Sequence, residues 1–255
     1  MENHYVLTSK DEKTKSIISS LGGTIQNFLV DGNNILFPYH TTPEGNIRGG
    51  CHMCAPCFGT SPRFPKKHGV LRDISMYSVQ KYAPNSISME FEQLPTEKYP
   101  WHLWYNTDVT VKDNEMTTTL RTYRLKDNNK EKAPINIGFH PYFANEGAKY
   151  VEVMEFPTGK TQWIFSKEAR SAPLDGKGAI FIEMPRWRVL MYFNSFIEIN
   201  GYRSRMVLWS DDPKKYTCIE PIMYDYNLFD TKEGCFLNVG DVIILSMTLR
   251  VEMKT

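Results

Sequence analysis

Charge of one sign is what this chain most plainly lacks. Its 30 Lys and Arg and 29 Asp and Glu nearly cancel, leaving a formal +1, whereas a protein that wraps nucleic acid shows a basic excess. Long apolar runs are missing as well, since nothing approaches the ~18 consecutive apolar residues of a membrane-spanning helix. The opening Met1-Glu2-Asn3-His4 has no basic segment leading into an apolar one. No secretory signal is therefore expected, and the reading is a soluble, cytoplasmic protein. Cysteines are few and odd in number, five in all, which fits reduced thiols better than a disulfide framework. There is no internal repeat, no low-complexity tract and no long stretch with a helical period. The 15 prolines are scattered instead of pooled in a linker.

What the chain does have is a succession of short β-branched and aromatic runs separated by turn residues. They fall at 24–30, 33–37, 86–93, 103–112, 116–125, 134–139, 180–184, 196–199, 206–210 and 242–252. Several alternate apolar and polar, as Ser86-Ile87-Ser88-Met89-Glu90-Phe91 does, which is the mark of a half-buried strand. Asp31-Gly32-Asn33-Asn34 is a hairpin-type turn signal, and 126–132 reads as a solvated connection. An all-β chain of 255 residues, forming one antiparallel domain over 1–255 and large enough to be a sandwich, is the expectation.

Chemistry concentrates in four places. His140, in Gly138-Phe139-His140-Pro141-Tyr142-Phe143, and Glu220, in Cys218-Ile219-Glu220-Pro221, each sit inside an apolar, strand-like run. A titratable group there is costly unless paired or used, and an imidazole with a carboxylate makes a general acid–base couple. Singly, His140 could be a hydrogen-bonded core histidine and Glu220 a partner of Lys214 or Lys215. Upstream, Lys66-Lys67-His68-Gly69-Val70-Leu71-Arg72-Asp73 crowds cations together. With Arg48 it could present donors to sugar hydroxyls or phosphate, or Arg72 could simply pair with Asp73. Finally, Cys51, Cys54 and Cys57 have an iron–sulfur-like spacing and His52 adds a possible zinc ligand. A strand points Cys54 away from the other two, so buried apolar thiols are the favoured reading and no metal ligand is assigned.

Taken in order, Arg48-Gly49-Gly50 to Pro56-Cys57-Phe58-Gly59, His68-Gly69 to Arg72-Asp73, the His140 segment and the Glu220 segment resemble the aldose 1-epimerase (galactose mutarotase) superfamily. The nearest likeness is to its short bacterial and hexose-6-phosphate 1-epimerase-like branches. Leu21-Gly22-Gly23-Thr24-Ile25 and Asn238-Val239-Gly240-Asp241 resemble the family's opening hairpin and closing turn, so nearly the whole chain is covered. The resemblance implies a β-supersandwich of the galactose mutarotase-like kind and an isomerase acting on a sugar or sugar phosphate. It implies that His140 is the acid and Glu220 the base. Arg48, His68 and Arg72 would bind substrate, and no cofactor would be required. The other reading is a carbohydrate-binding sandwich without turnover. Three departures stand out: Cys51, Cys57 and His52 replace large apolar residues and a proline, Lys67 replaces a glutamine, and a sugar-binding aspartate has only Asp175 as a candidate.

Overall fold

The structure, a computed structural model, describes residues 2–148, 150–155, 159–164, 168–173, 179–195 and 204–254. Two antiparallel sheets of nine strands each dominate them, with two further two-stranded ladders. Only two three-residue 3-10 turns, Leu71–Asp73 and Tyr226–Leu228, interrupt the strands among the described residues. The anticipated runs at 86–93 and 103–112 are the strands Ser86–Gln93 and Leu103–Lys112. The run at 134–139 proves to be two elements, Ala133–Ile135 and Gly138–Ala144, in different sheets. The expected run at 196–199 lies outside the described residues, as does Asp175.

One sheet runs His4–Thr8, Thr14–Ser19, Ile25–Val30, Cys51–Cys54, Gly138–Ala144, Tyr216–Ile222, Arg205–Trp209 and Arg170–Pro173, with Asn33–Asn34 attached to Ile25–Val30. The Ile25–Asn34 hairpin closes as its turn residues demand. Val30 faces Asn33 across Asp31 and Gly32, whose φ values of 48° and 76° supply the two left-handed positions of a type I′ turn. The second sheet is built around the long strands Leu103–Lys112, Glu115–Arg124, Trp187–Ser195 and Val242–Met253.

The core lies between the sheets, and strand periodicity fills it from both sides. Met53, Phe139, Phe143 and Ile219 enter from the first sheet, and Phe91, Tyr105, Val109 and Leu120 from the second, all fully buried. Across the gap the Thr107 hydroxyl meets Met53 Sδ at 3.3 Å. The 126–132 connection is largely exposed, as expected, but it also has a buried task. Arg124, 1 % exposed, reaches Asp127 and the carbonyls of Asn129, Glu131 and Leu237, so the loop wraps a buried guanidinium.

Candidate active site

The site is made by the faces of three adjacent strands that turn away from that core. In Cys51–Cys54 the core takes Cys51 and Met53, leaving His52 and Cys54 on the opposite face. In Gly138–Ala144 it takes Phe139 and Phe143, leaving His140 and Tyr142. In Tyr216–Ile222 it takes Ile219, leaving Cys218 and Glu220. Register then does the assembling. Pairing of Gly138 with Ile222 and of Tyr142 with Cys218 brings His140 opposite Glu220, while on its other side His140 faces His52. His140 Nε2 lies 3.3 Å from Glu220 Oε1, with the two residues 4 % and 2 % exposed. The pair forms part of the wall of a cavity of about 680 Å³ shared with Arg48, His68, Arg72 and Trp209, within the range of small-molecule sites.

Rings hold the imidazole in place. His52 and Tyr142 stack on His140 with centroids at 4.5 Å and 4.8 Å, His68 meets it edge-on at 5.0 Å, and Trp209 approaches at 6.2 Å. Trp209 also lines this cavity, while Trp101 belongs to the core.

Two loops deliver the basic residues. Gly49, at φ 85°, follows Arg48 where a Cβ would lie 2.2 Å from the Pro38 carbonyl oxygen, so only glycine permits this turn into the strand. Arg48 lines the cavity but is not free. Its Nε and Nη2 donate to Asp211 Oδ2 at 3.0 Å and 2.6 Å, and its guanidinium lies 5.4 Å from the Trp209 ring centroid. Asp211 also accepts from the Tyr216 hydroxyl. On the second loop, the His68 N–H donates to the Gly59 carbonyl at 2.6 Å and the Gly59 N–H donates to His68 Nδ1 at 3.2 Å. That reciprocal pair makes Nδ1 an acceptor, so in neutral His68 the proton sits on Nε2. Asp73 pairs with Lys66 at 3.1 Å, not with Arg72. Arg72 and Lys67 therefore have no carboxylate partner among the described residues, although both border the cavity.

Burial sets the electrostatics. It raises the Glu220 carboxyl well above the usual carboxylate range. It lowers His140 well below the usual imidazole range, helped by the neighbouring His52 and His68. His52 is lowered well below it by burial and by His68, Arg72 and Arg48, and His68 is pushed down to about 3 by burial, Arg72 and Lys67. Both shifts favour neutral imidazole beside neutral carboxylic acid over the ion pair. The two forms carry the same number of protons and differ by one transfer across the 3.3 Å contact. Asp211 behaves oppositely: burial pushes it up, but the bonds from Arg48 and Tyr216 outweigh that and leave it low. His52 Nε2 and His140 Nδ1 are buried without a hydrogen-bond partner, unusual for interior nitrogens.

The three clustered thiols do not converge. Cys51 and Cys57 enter the main core, whereas Cys54 packs with Phe58, Val207 and Ile222 on the cavity side. Among the described residues one group could present metal-binding atoms together, namely His140, Cys218 and Glu220, all within 4.8 Å of one another. Sequence reasoning gave no role to Tyr142, although period 2 from His140 marks it. Nothing in the sequence joins Arg48 to Asp211.

A model of the family described as Aldose 1-epimerase matches residues 4–177. No curated protein sequence matches the chain. Solved structures do resemble it. A candidate aldose 1-epimerase of Escherichia coli K12 is similar over all of both chains at 16 % identity, with a TM-score of 0.76. A galactose mutarotase related enzyme of Lactobacillus acidophilus shares 15 % identity over 98 % of this chain and 97 % of its own, with a TM-score of 0.74. Galactose 1-epimerase of L. acidophilus NCFM shares 12 % over 100 % and 99 %, with a TM-score of 0.69. The architecture is the galactose mutarotase-like β-supersandwich.

Proposed function

The chain belongs to the aldose 1-epimerase family, and on that premise we propose that it interconverts α and β anomers of an aldose by acid–base ring opening, with Glu220 as base and His140 as acid. The observation that carries this reading is the buried 3.3 Å contact of the two residues at the cavity wall. The anomeric oxygen O1 and the ring oxygen O5 are both bonded to C1, so a base for one and an acid for the other must sit side by side.

The steps balance. Glu220 as carboxylate takes the O1 proton, the C1–O5 bond breaks with its electrons on O5, and protonated His140 supplies O5 with a proton. The open aldehyde is then held beside neutral Glu220 and neutral His140, the form that burial favours. Rotation about C1–C2 presents the other carbonyl face. Closure returns the O5 proton to His140 and the Glu220 proton to O1. Each positioned group is worth about 10²–10⁴-fold in rate. The unpartnered nitrogens of His52 and His140 leave hydrogen-bonding capacity for a polar ligand.

Within this family we take the substrate to be a hexose carrying a phosphate. Arg48 is engaged by Asp211 and Lys66 by Asp73, while Arg72 and Lys67 border the cavity without a carboxylate partner among the described residues. Two unpaired cations suit a dianion, because charge-assisted bonds are the strong ones. NMR anomeric exchange on glucose, galactose and their 6-phosphates, with wild type and Glu220→Gln, tests both levels. Acceleration by the wild type alone is expected. No acceleration on any of them would leave a carbohydrate-binding protein without turnover. Arg72→Ala should raise KM about 10-fold or more for the phosphate, the loss of a charged hydrogen bond, and hardly change it for the free sugar. Equal losses on both would remove the phosphate assignment.

A further inference from the structure

Beside the acid–base couple, on the strand that carries Glu220, lies a buried thiol that ring opening does not use. Cys218 and Glu220 stand two residues apart on one strand and so share a face, and His140 reaches the same point from the neighbouring strand. Their ligand atoms lie within 4.8 Å of one another, and all three residues are buried. We propose that His140 Nε2, Cys218 Sγ and a Glu220 carboxylate oxygen form a binding site for a zinc-like divalent ion, and that the ion inhibits the enzyme by occupying its acid and base. The inhibition, though not the binding, rests on the epimerase reading.

The donor set selects the ion. A thiolate and an imidazole suit zinc and its borderline neighbours, whereas magnesium and calcium require oxygen donors throughout. Tetrahedral zinc with bonds of about 2.0–2.3 Å sets its ligands roughly 3.3–3.7 Å apart. His140 and Glu220 already meet that spacing at 3.3 Å. Cys218, within 4.8 Å of both, needs to close by only roughly 1 Å to reach zinc–ligand spacing. Three protein donors leave a fourth position toward the cavity, open to water, as in metal sites that exchange ligands. Binding displaces the thiol proton to solvent and occupies the lone pairs that Glu220 and His140 need for proton transfer. An ion and a sugar at C1 are then mutually exclusive. Cys218 itself packs against Tyr142 and Tyr216 and gives or takes no proton in ring opening, so each protein's own rate without the ion is the reference for its inhibition.

The test uses reduced full-length protein titrated with Zn²⁺ and, separately, Co²⁺. One ion per chain is expected, with a near-ultraviolet thiolate-to-cobalt charge-transfer band. Cys218→Ser should abolish that band and weaken Zn²⁺ binding by at least the roughly 10–100-fold seen when even an outer partner of a metal ligand is lost. Zn²⁺ should arrest anomeric exchange in the wild type and leave the rate of Cys218→Ser equal to that variant's own metal-free rate. Cobalt bound without the band, or unchanged zinc affinity in Cys218→Ser, would overturn the site by placing the ion elsewhere. Should thermal melting show Cys218→Ser unfolded, Glu220→Gln serves instead: its zinc affinity must fall, and undiminished affinity overturns the proposal. A wild type that binds zinc in this way yet turns over no sugar would refute the epimerase reading and leave the metal site standing.

Discussion

On the half-exposed face of the second sheet, Thr117 meets Thr248 at 2.9 Å, Thr119 meets Ser246 at 3.1 Å, and Arg121 bonds to Asn106 and Asp108. Cross-strand neighbours there satisfy one another. On the cavity face of the first sheet, His52 and His140 are opposite residues of the same kind of ladder, yet each keeps a buried nitrogen without a partner. The first arrangement is what a sheet does to be stable. The second leaves hydrogen-bonding capacity unspent in a low-dielectric place, where it is worth most to something that arrives later. Other buried atoms, such as Trp187 Nε1 and Arg124 Nε, are unpartnered too, but those of His52 and His140 belong to residues that line the cavity.

The contrast can be broken most forcefully at Glu220. Glu220→Gln keeps shape and burial but removes the proton acceptor, so anomeric exchange should fall by about 10²–10⁴-fold while the melting temperature holds or rises. A fall in activity that merely tracks unfolding would contradict the assignment.

The pH dependence of stability is the next largest effect. His52, His68 and His140 all have folded values below their unfolded ones. As pH drops below about 6.5 the unfolded chain takes up protons that the fold refuses, and stability is lost. Glu220, raised in the fold, acts in the opposite sense and loses stability as pH rises above its unfolded value near 4.3. Between those limits three groups oppose one, so urea unfolding should give less stability at pH 5 than at pH 7. His52→Gln should narrow the difference, and an unchanged pH dependence in that variant would disprove its part.

Asp211→Asn probes a gentler point. It loosens Arg48 without touching the acid–base couple, so KM should shift several-fold with kcat nearly unchanged, and a collapse of kcat would mean that Asp211 acts on the chemistry. Smallest of all, Thr117→Val on the second sheet should cost about 0.2–1 kcal/mol in chemical denaturation and leave turnover alone.

Much of this was legible beforehand. Alternating runs gave Ser86–Gln93 and Leu103–Lys112, and Asp31-Gly32 gave its turn, because those signals are local. The closeness of the two residues proposed as acid and base was foreshadowed for a different reason, since a histidine and a glutamate each embedded in apolar sequence are conspicuous. What could not be read was partnership at a distance. Asp211 claims Arg48 from 163 positions away, and Lys66 takes Asp73 from Arg72, choices made by loop geometry instead of sequence. The protonation of the couple was not legible, because the desolvation that shifts it exists only after folding.

Register has one more consequence. The pairing of Gly138 with Ile222 and of Tyr142 with Cys218 decides at one stroke which residues are inside and which can react. A one-residue slip of Tyr216–Ile222 would turn Glu220 into the core and Ile219 into the cavity. No misregistered form can keep the enzyme's hydrophobic interior while losing only its chemistry. For this protein a turnover assay is therefore also an assay of strand alignment, and selection for one enforces the other.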